Sequence, residues 1–197
     1  MKKKQARGFT LIELLIVIAI LAILATVVLL VINPVQIFAQ ARDSQRIYDL
    51  NTLSNATALY LTTVTIPSLA GQGANTFVCG TNYGASISGA LEYFSGLPAI
   101  YSAFGRLVDG TTGWVPVKYT DISGGSPISA LPVDPINTVA STYNYTYACD
   151  NTNKWFEFNA VMESERYANG GSDDIESTEG GSNSDVYEVG NDPGLDL

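Results

Sequence analysis

The chain of 197 residues contains no histidine. The commonest general base and the commonest transition-metal ligand are therefore absent, and Ser-His or Cys-His nucleophiles are excluded outright. Basic residues are also few, ten against nineteen acidic ones, and four of them (Lys2, Lys3, Lys4, Arg7) sit within the first eight residues. The remainder is strongly acidic. A broad phosphate-neutralising surface needs clustered Lys and Arg, so nucleic acid is not an expected partner. Cysteine is limited to Cys79 and Cys149.

One long apolar run is present. Leu14 to Ile32 is nineteen residues, interrupted only by Thr26. At the helical rise it spans roughly 28 Å, close to the hydrocarbon thickness of a bilayer. The basic residues before it predict a cytoplasmic N-terminus, with everything after the span on the outer side. A cleaved secretory signal would use the small-x-small site Ala39-Gln40-Ala41, but its apolar core is usually about 7–15 residues and this run is longer. An ordinary signal anchor explains the hydropathy. It does not explain the "RGFTLIELL" stretch, where Gly8 and Phe9 follow the basic leader and Glu13 enters the apolar segment. A carboxylate at that depth costs on the order of 2.5–3.5 kcal/mol on insertion scales, so it needs a partner or must snorkel to water.

The stretch "KKKQARGFTLIELLIVIAILAIL" resembles the class III signal of bacterial type IV pilins and pseudopilins. The resemblance implies a leader, residues 1–8, cut after Gly8 by a membrane prepilin peptidase. It implies N-methylation of the new N-terminal Phe9 and an assembly role for Glu13. Cleavage creates a cationic amine four residues before Glu13, and positions i and i+4 share a helix face. In a dry filament core such a pair would favour one axial register, as buried polar groups do in coiled coils. Further implied are a homo-oligomeric helical filament, an assembly platform and ATPase, and a chain held in the cell membrane before assembly. Afterwards it lies in an extracellular filament or an envelope pseudopilus.

Residues 9–33 are read as the membrane and filament-core helix, and 34–64 as its amphipathic continuation to about Thr63. Ile47, Leu50, Leu53, Ala56 and Tyr60 recur at three- or four-residue steps and define an apolar face. Arg42, Asp43, Arg46 and Asp49 read as a wet stretch, solvated or in contact between subunits. Asn33-Pro34 predicts a kink or local melting, and Pro67 ends the helix at latest.

Residues 65–197 read as a β-rich head. "SLAGQGANTFVCGTNYGASISG" is expected to be loop, "ALEYFSGLPAIYSAF" one or two short helices and "GWVPVKYTDI" a strand. "TYNYTYACD" and "KWFEFNAVM" alternate more clearly, with a hairpin turn at Asp150 to Asn153 and a last edge strand in "DVYEVG". The expected fold class is α+β: a long N-terminal helix carrying an antiparallel sheet, the ladle of the pilins. The loop Pro132 to Pro135 resembles the sheet entry of many pilin-like heads; it also suits a plain turn.

In an exported domain the two cysteines read as a disulfide, with two buried thiols as the alternative. The tail from about residue 169 carries eight acids and no base. Asp173, Asp174, Glu176, Glu179 and Asp185 are the oxygen donors a calcium site would draw on, and the tail resembles the calcium-binding loop of major pseudopilins. The same composition suits a solvated acidic surface. For function, a structural filament subunit is expected rather than an enzyme. A membrane-anchored extracytoplasmic binding domain is the alternative.

Overall fold

The computed structural model describes residues 8–72, 76–87, 99–100, 105–138 and 142–197. The chain falls into two compact units, Met1–Phe38 and Ala39–Leu197. The basic leader residues Lys2, Lys3, Lys4 and Arg7 lie outside the described residues.

In the first unit, Leu11–Ile32 forms helix α1. Its composition of Leu, Ile, Val and Ala is apolar on every face, and its described side chains are exposed throughout. The helix ends at Asn33, which takes a left-handed conformation (φ 43°) that Asn tolerates better than most residues. Pro34 then opens helix α2, Pro34–Thr63. Proline has no N–H to lose at a first helical position. The Asn33 carbonyl accepts from Gln36 N and Ile37 N at 3.0 and 3.4 Å. The single helix expected from Phe9 to Thr63 is therefore two helices, divided where Asn33-Pro34 predicts a disturbance.

The second unit contains a five-stranded sheet. Its strands are β1 (Tyr83–Ala85), β2 (Ala99–Ile100), β3 (Thr146–Asp150), β4 (Trp155–Ala160) and β5 (Tyr187–Gly190), in the order β2-β1-β3-β4-β5. β1, β3, β4 and β5 pair antiparallel, while β2 runs parallel to β1. The fold is α+β. Strands β3, β4 and β5 fall where alternation predicts them, with β5 at the sheet edge. The Asp150 carboxylate makes the hairpin turn by accepting from Thr152 N (2.7 Å) and Asn153 N (3.2 Å).

Three expectations are corrected. β1 forms inside the stretch read as loop. "GWVPVKYTDI" contributes an isolated bridge at Gly113, another at Lys118, and a 3-10 turn, Tyr119–Asp121; Pro116, lacking a ladder donor, accounts for the missing strand. Within the stretch read as short helices, Ala99–Ile100 is strand; residues 90–98 and 101–104 lie outside the described residues.

The core lies on one face of the sheet. Leu50, Leu53, Ala56 and Tyr60 of α2 meet Tyr145, Tyr147, Phe156 and Phe158, with Trp114, Val115, Val117, Leu131 and Leu69 filling the sides. Ile47, expected on the same helix face, is half-buried. The aromatic contacts are close, with Tyr147 and Phe158 ring centres 5.0 Å apart. On the opposite sheet face Tyr83, Ala85 and Ala148 form a smaller apolar patch, against which Leu197 packs.

Candidate functional site

The N-terminal segment is built on the start of α1. Gly8, Phe9 and Thr10 precede the helix in non-helical backbone, and nothing stands within 4 Å of where a Gly8 Cβ would be. Phe9 is 87% exposed. Among the described residues nothing covers the Gly8–Phe9 junction. Thr10 is the N-cap (φ −81°, ψ 153°) and makes a capping box with Glu13. One carboxylate oxygen of Glu13 accepts from Thr10 N at 2.8 Å and from the Thr10 hydroxyl at 2.7 Å. In return the Thr10 Oγ1 accepts from Glu13 N at 3.3 Å. Glu13 therefore has a partner at the start of its own helix. Thr10 was missed from the sequence, although T-x-x-E ahead of an apolar run is the signature that finds it. Leu11–Leu29 is long and apolar enough to cross a membrane.

Arg42, Asp43, Arg46 and Asp49 are not the wet stretch expected of them. Asp43 and Arg46 are fully buried and Asp49 nearly so. Arg46 makes a two-pronged bond to Asp134, with Nε to Oδ2 at 2.6 Å and Nη2 to Oδ1 at 3.0 Å. Its Nη1 reaches Asp43 at 2.6 Å, and its guanidinium lies 4.7 Å from the Tyr143 ring centre. Burial opposes the Arg46 charge, but Asp134 and Asp43 outweigh it and raise the pKa. Asp43 in turn accepts from Glu163 N (2.9 Å) and Ser164 N (2.8 Å), while Arg42 pairs with Glu163. Asp49 accepts from Tyr145 Oη (2.9 Å) and Gln45 Nε2 (2.7 Å). Burial raises the Asp49 pKa against these two donors. Arg42, Asp43 and Arg46 thus fasten α2 to two loops, and Asp49 ties it to Tyr145 just ahead of β3. One of the two loops is Pro132 to Pro135, where Asp134 also accepts from Ile136 N at 2.8 Å.

Cys79 and Cys149 form the disulfide, joining the segment before β1 to β3.

The tail acids are occupied elsewhere than in a cation site. Asp173 pairs with Arg166, whose Nε donates at 2.6 Å. Asp174 accepts from Gly170 N and from both the N–H and hydroxyl of Ser177. Glu176 caps Met162 N (2.6 Å) and Asn169 N (2.9 Å), and Asp185 accepts from Asn169 Nδ2. Glu179 is the exception. Both its carboxyl oxygens are buried without a well-formed hydrogen bond, and burial pushes its pKa up to about 7 against the nearby Glu179 and Glu188 amides. Among the described residues no three His, Cys, Asp or Glu side chains gather as a metal ion would need. Nothing in this arrangement supports the calcium expectation; Asp173, Asp174, Glu176 and Asp185 each accept from nearby protein groups instead.

Residues 3–29 match the family model of the prokaryotic N-terminal methylation motif. No curated protein and no solved structure matches the chain. The match covers the leader from Lys3, the Gly8–Phe9 junction, Thr10, Glu13 and most of α1, and none of the head. The N-terminal segment is thus a prokaryotic N-terminal methylation motif, the class III signal of type IV pilins and pseudopilins.

Proposed function

We propose that the chain is the precursor of a structural subunit of a type IV pilus or a type II secretion-like pseudopilus. The observation that carries this reading is the match over residues 3–29, with Phe9 exposed and Glu13 in the first turn of α1. A prepilin peptidase cuts after Gly8, and the new amine of Phe9 is methylated. Helix α1 first anchors the chain in the cell membrane, N-terminus inside, and later packs against copies of itself. An apolar helix with no buried side on its own needs lipid or other helices around it. The platform protein and the ATPase supply the work of assembly, and the head forms the outer surface. The chain carries out no reaction of its own in this role.

The cut changes what Glu13 holds. Before it, Thr10 holds the acid. After it, the Phe9 amine of the same or a neighbouring subunit competes with Thr10 for the carboxylate. A charged amine is the stronger donor, so the acid becomes available to fix the register between subunits only once the leader is gone. The test is the intact mass and N-terminal sequence of the chain recovered from sheared surface filaments. The expected chain begins at N-methyl-Phe9. A chain beginning at Met1, or near Asp43, overturns the reading, and a diffuse membrane distribution in cells that assemble pili favours the anchored binding domain instead.

A further inference from the structure

Behind the sheet, on the face away from the core, lies a cavity of about 360 Å³ lined by Glu157, Ser182, Asn183, Ser184, Glu188, Asp196 and Leu197. Glu157 and Glu188 are almost fully buried, at 1% and 3% exposure. They stand on neighbouring strands, and Gly190 of β5 is the register partner of Glu157. Asp196 lines the same space and Asp192 acts on Glu157 through space. β3 contributes the neutral Ala148 opposite Glu157. Among the described residues no cation lines the cavity, and Lys154, the basic residue of this hairpin, donates to Asn151 Oδ1 at 3.0 Å.

The last residues form one wall of this space. Asn191 is pinned to the hairpin: its amide donates to Phe156 O (3.1 Å), its Oδ1 accepts from Phe156 N (2.8 Å) and its Nδ2 donates to Lys154 O (3.0 Å). Beyond it come Asp192, Pro193 and Gly194 (φ +99°), then Leu195 (φ 46°), a backbone bent by left-handed residues. The segment returns to the sheet through Leu197 N, which donates to Glu157 Oε2 at 3.1 Å, and through Leu195 O, which accepts from Ser182 N at 3.3 Å. Asn159 Nδ2 occupies Glu157 Oε1 at 2.7 Å, and Asn183 N donates to Glu188 Oε2 at 3.0 Å. Strands β4 and β5 are fixed by their ladder. Residues 192–197 pair with no strand among the described residues.

We propose that Glu157 and Glu188 form a proton-operated clasp, which holds residues 192–197 against the sheet while Glu157 carries its proton and releases them when that proton passes to base in the medium. Burial, and after it the Glu188 and Asp192 charges, push the Glu157 pKa up to about 8, against the donors Asn159 and Leu197 N. Burial also raises Glu188, opposed by Asn183 N and by a hydrogen bond from Glu157, which makes Glu157 the member that keeps the proton. Ionised, Glu157 faces Glu188, Asp192 and Asp196 with no cation to balance them. Lifting the segment lets water reach the charge. It also takes Leu197 off Tyr83, Ala85 and Ala148, so the open state uncovers an apolar patch that the closed state hides.

Hydrogen exchange of the full chain in detergent, corrected for the intrinsic rate at each pH, tests this. Protection of the amides in 192–197 is expected to fall about tenfold or more between pH ~6 and ~9, while β4 keeps its protection. Glu157→Gln is expected to keep the segment protected across that range. Constant protection in the native chain overturns the clasp, as does a native-like fall in a folded E157Q. Should E157Q lose β4 protection, Glu188→Gln decides: the ionised Glu157 then meets no Glu188 charge that drives the segment off, so 192–197 should stay protected to higher pH than in the native chain. An unmoved midpoint in E188Q overturns the proposal.

Discussion

At the residue scale, two side chains carry charge where charge is costly, and each is predicted to fail differently. Glu13 sits at the mouth of an apolar helix and is held by Thr10. Glu13→Ala removes a charge that membrane insertion does not need. It should insert and be cut normally, yet not enter filaments when expressed beside the native chain. Normal co-assembly, read by mass spectrometry of sheared filaments, would sink the registry role. Arg46 is the reverse case, a buried cation whose loss strands its partners. Arg46→Met leaves Asp43 and Asp134 without their cation, a change that typically costs about 3–5 kcal/mol. Thermal unfolding of the chain in detergent should show a large drop in Tm. Adding Asp43→Asn and Asp134→Asn should restore part of it, because the penalty is mostly the unpaired acids. Neither fact about Arg46 was legible in the sequence. Its partner Asp134 lies 88 positions away, and a charged helical stretch with no known partner reads as solvated.

At the element scale, legibility follows how local the cause is. The break between α1 and α2 was legible because Asn33 and Pro34 act on their own backbone. β3 and β4 were legible from alternation, and their turn from Asp150. β1 was not, because Tyr83–Ala85 is three residues among Gly, Asn and Ser, and it pairs with β3 some sixty positions on. The tail acids misled for a related reason. Composition gives the donors of a cation site, but whether they converge depends on loop paths, and here Glu176 turns inward as a cap while Asp173, Asp174 and Asp185 bond nearby groups at the surface. The cysteines were legible as a pair since only two exist. Their bond closes a separation of 70 residues, which the chain-entropy model values at about 4 kcal/mol. Cys79→Ser/Cys149→Ser should therefore lower the midpoint of denaturant unfolding by a matching amount, with β3 and the segment before β1 first to lose exchange protection. A midpoint equal to that of the oxidised chain would show that the core alone fixes the segment before β1 on the sheet.

At the scale of the whole molecule, the buried acids set how the head responds to pH. Glu157 and Glu179 have pKa values pushed up to about 8 and about 7, in both cases chiefly by burial. Burial also raises Asp49, Glu176 and Glu188. An acid with a raised folded-state pKa favours folding fully below its unfolded value and loses that contribution as pH climbs through the folded one. The opposite group is smaller in effect. Glu163 is lowered by its bond to Arg42, and Asp109, Asp150 and Asp174 are lowered by hydrogen bonds at exposed turns. These matter only as pH falls through the ordinary carboxylate range. The two sets meet in the mildly acidic range, so stability should peak near pH ~5 and decline to about pH 8, lower than the usual plateau. Net charge of −9 pushes the same way, since self-repulsion grows as acids ionise. Glu157→Gln separates the two causes. Removing one acid barely alters the net charge but eliminates the largest local proton uptake, so the slope of Tm between pH ~6 and ~8 should flatten markedly. A slope unchanged in E157Q would assign the pH response to overall repulsion, and a native Tm that rises across that interval would contradict the buried-acid account itself.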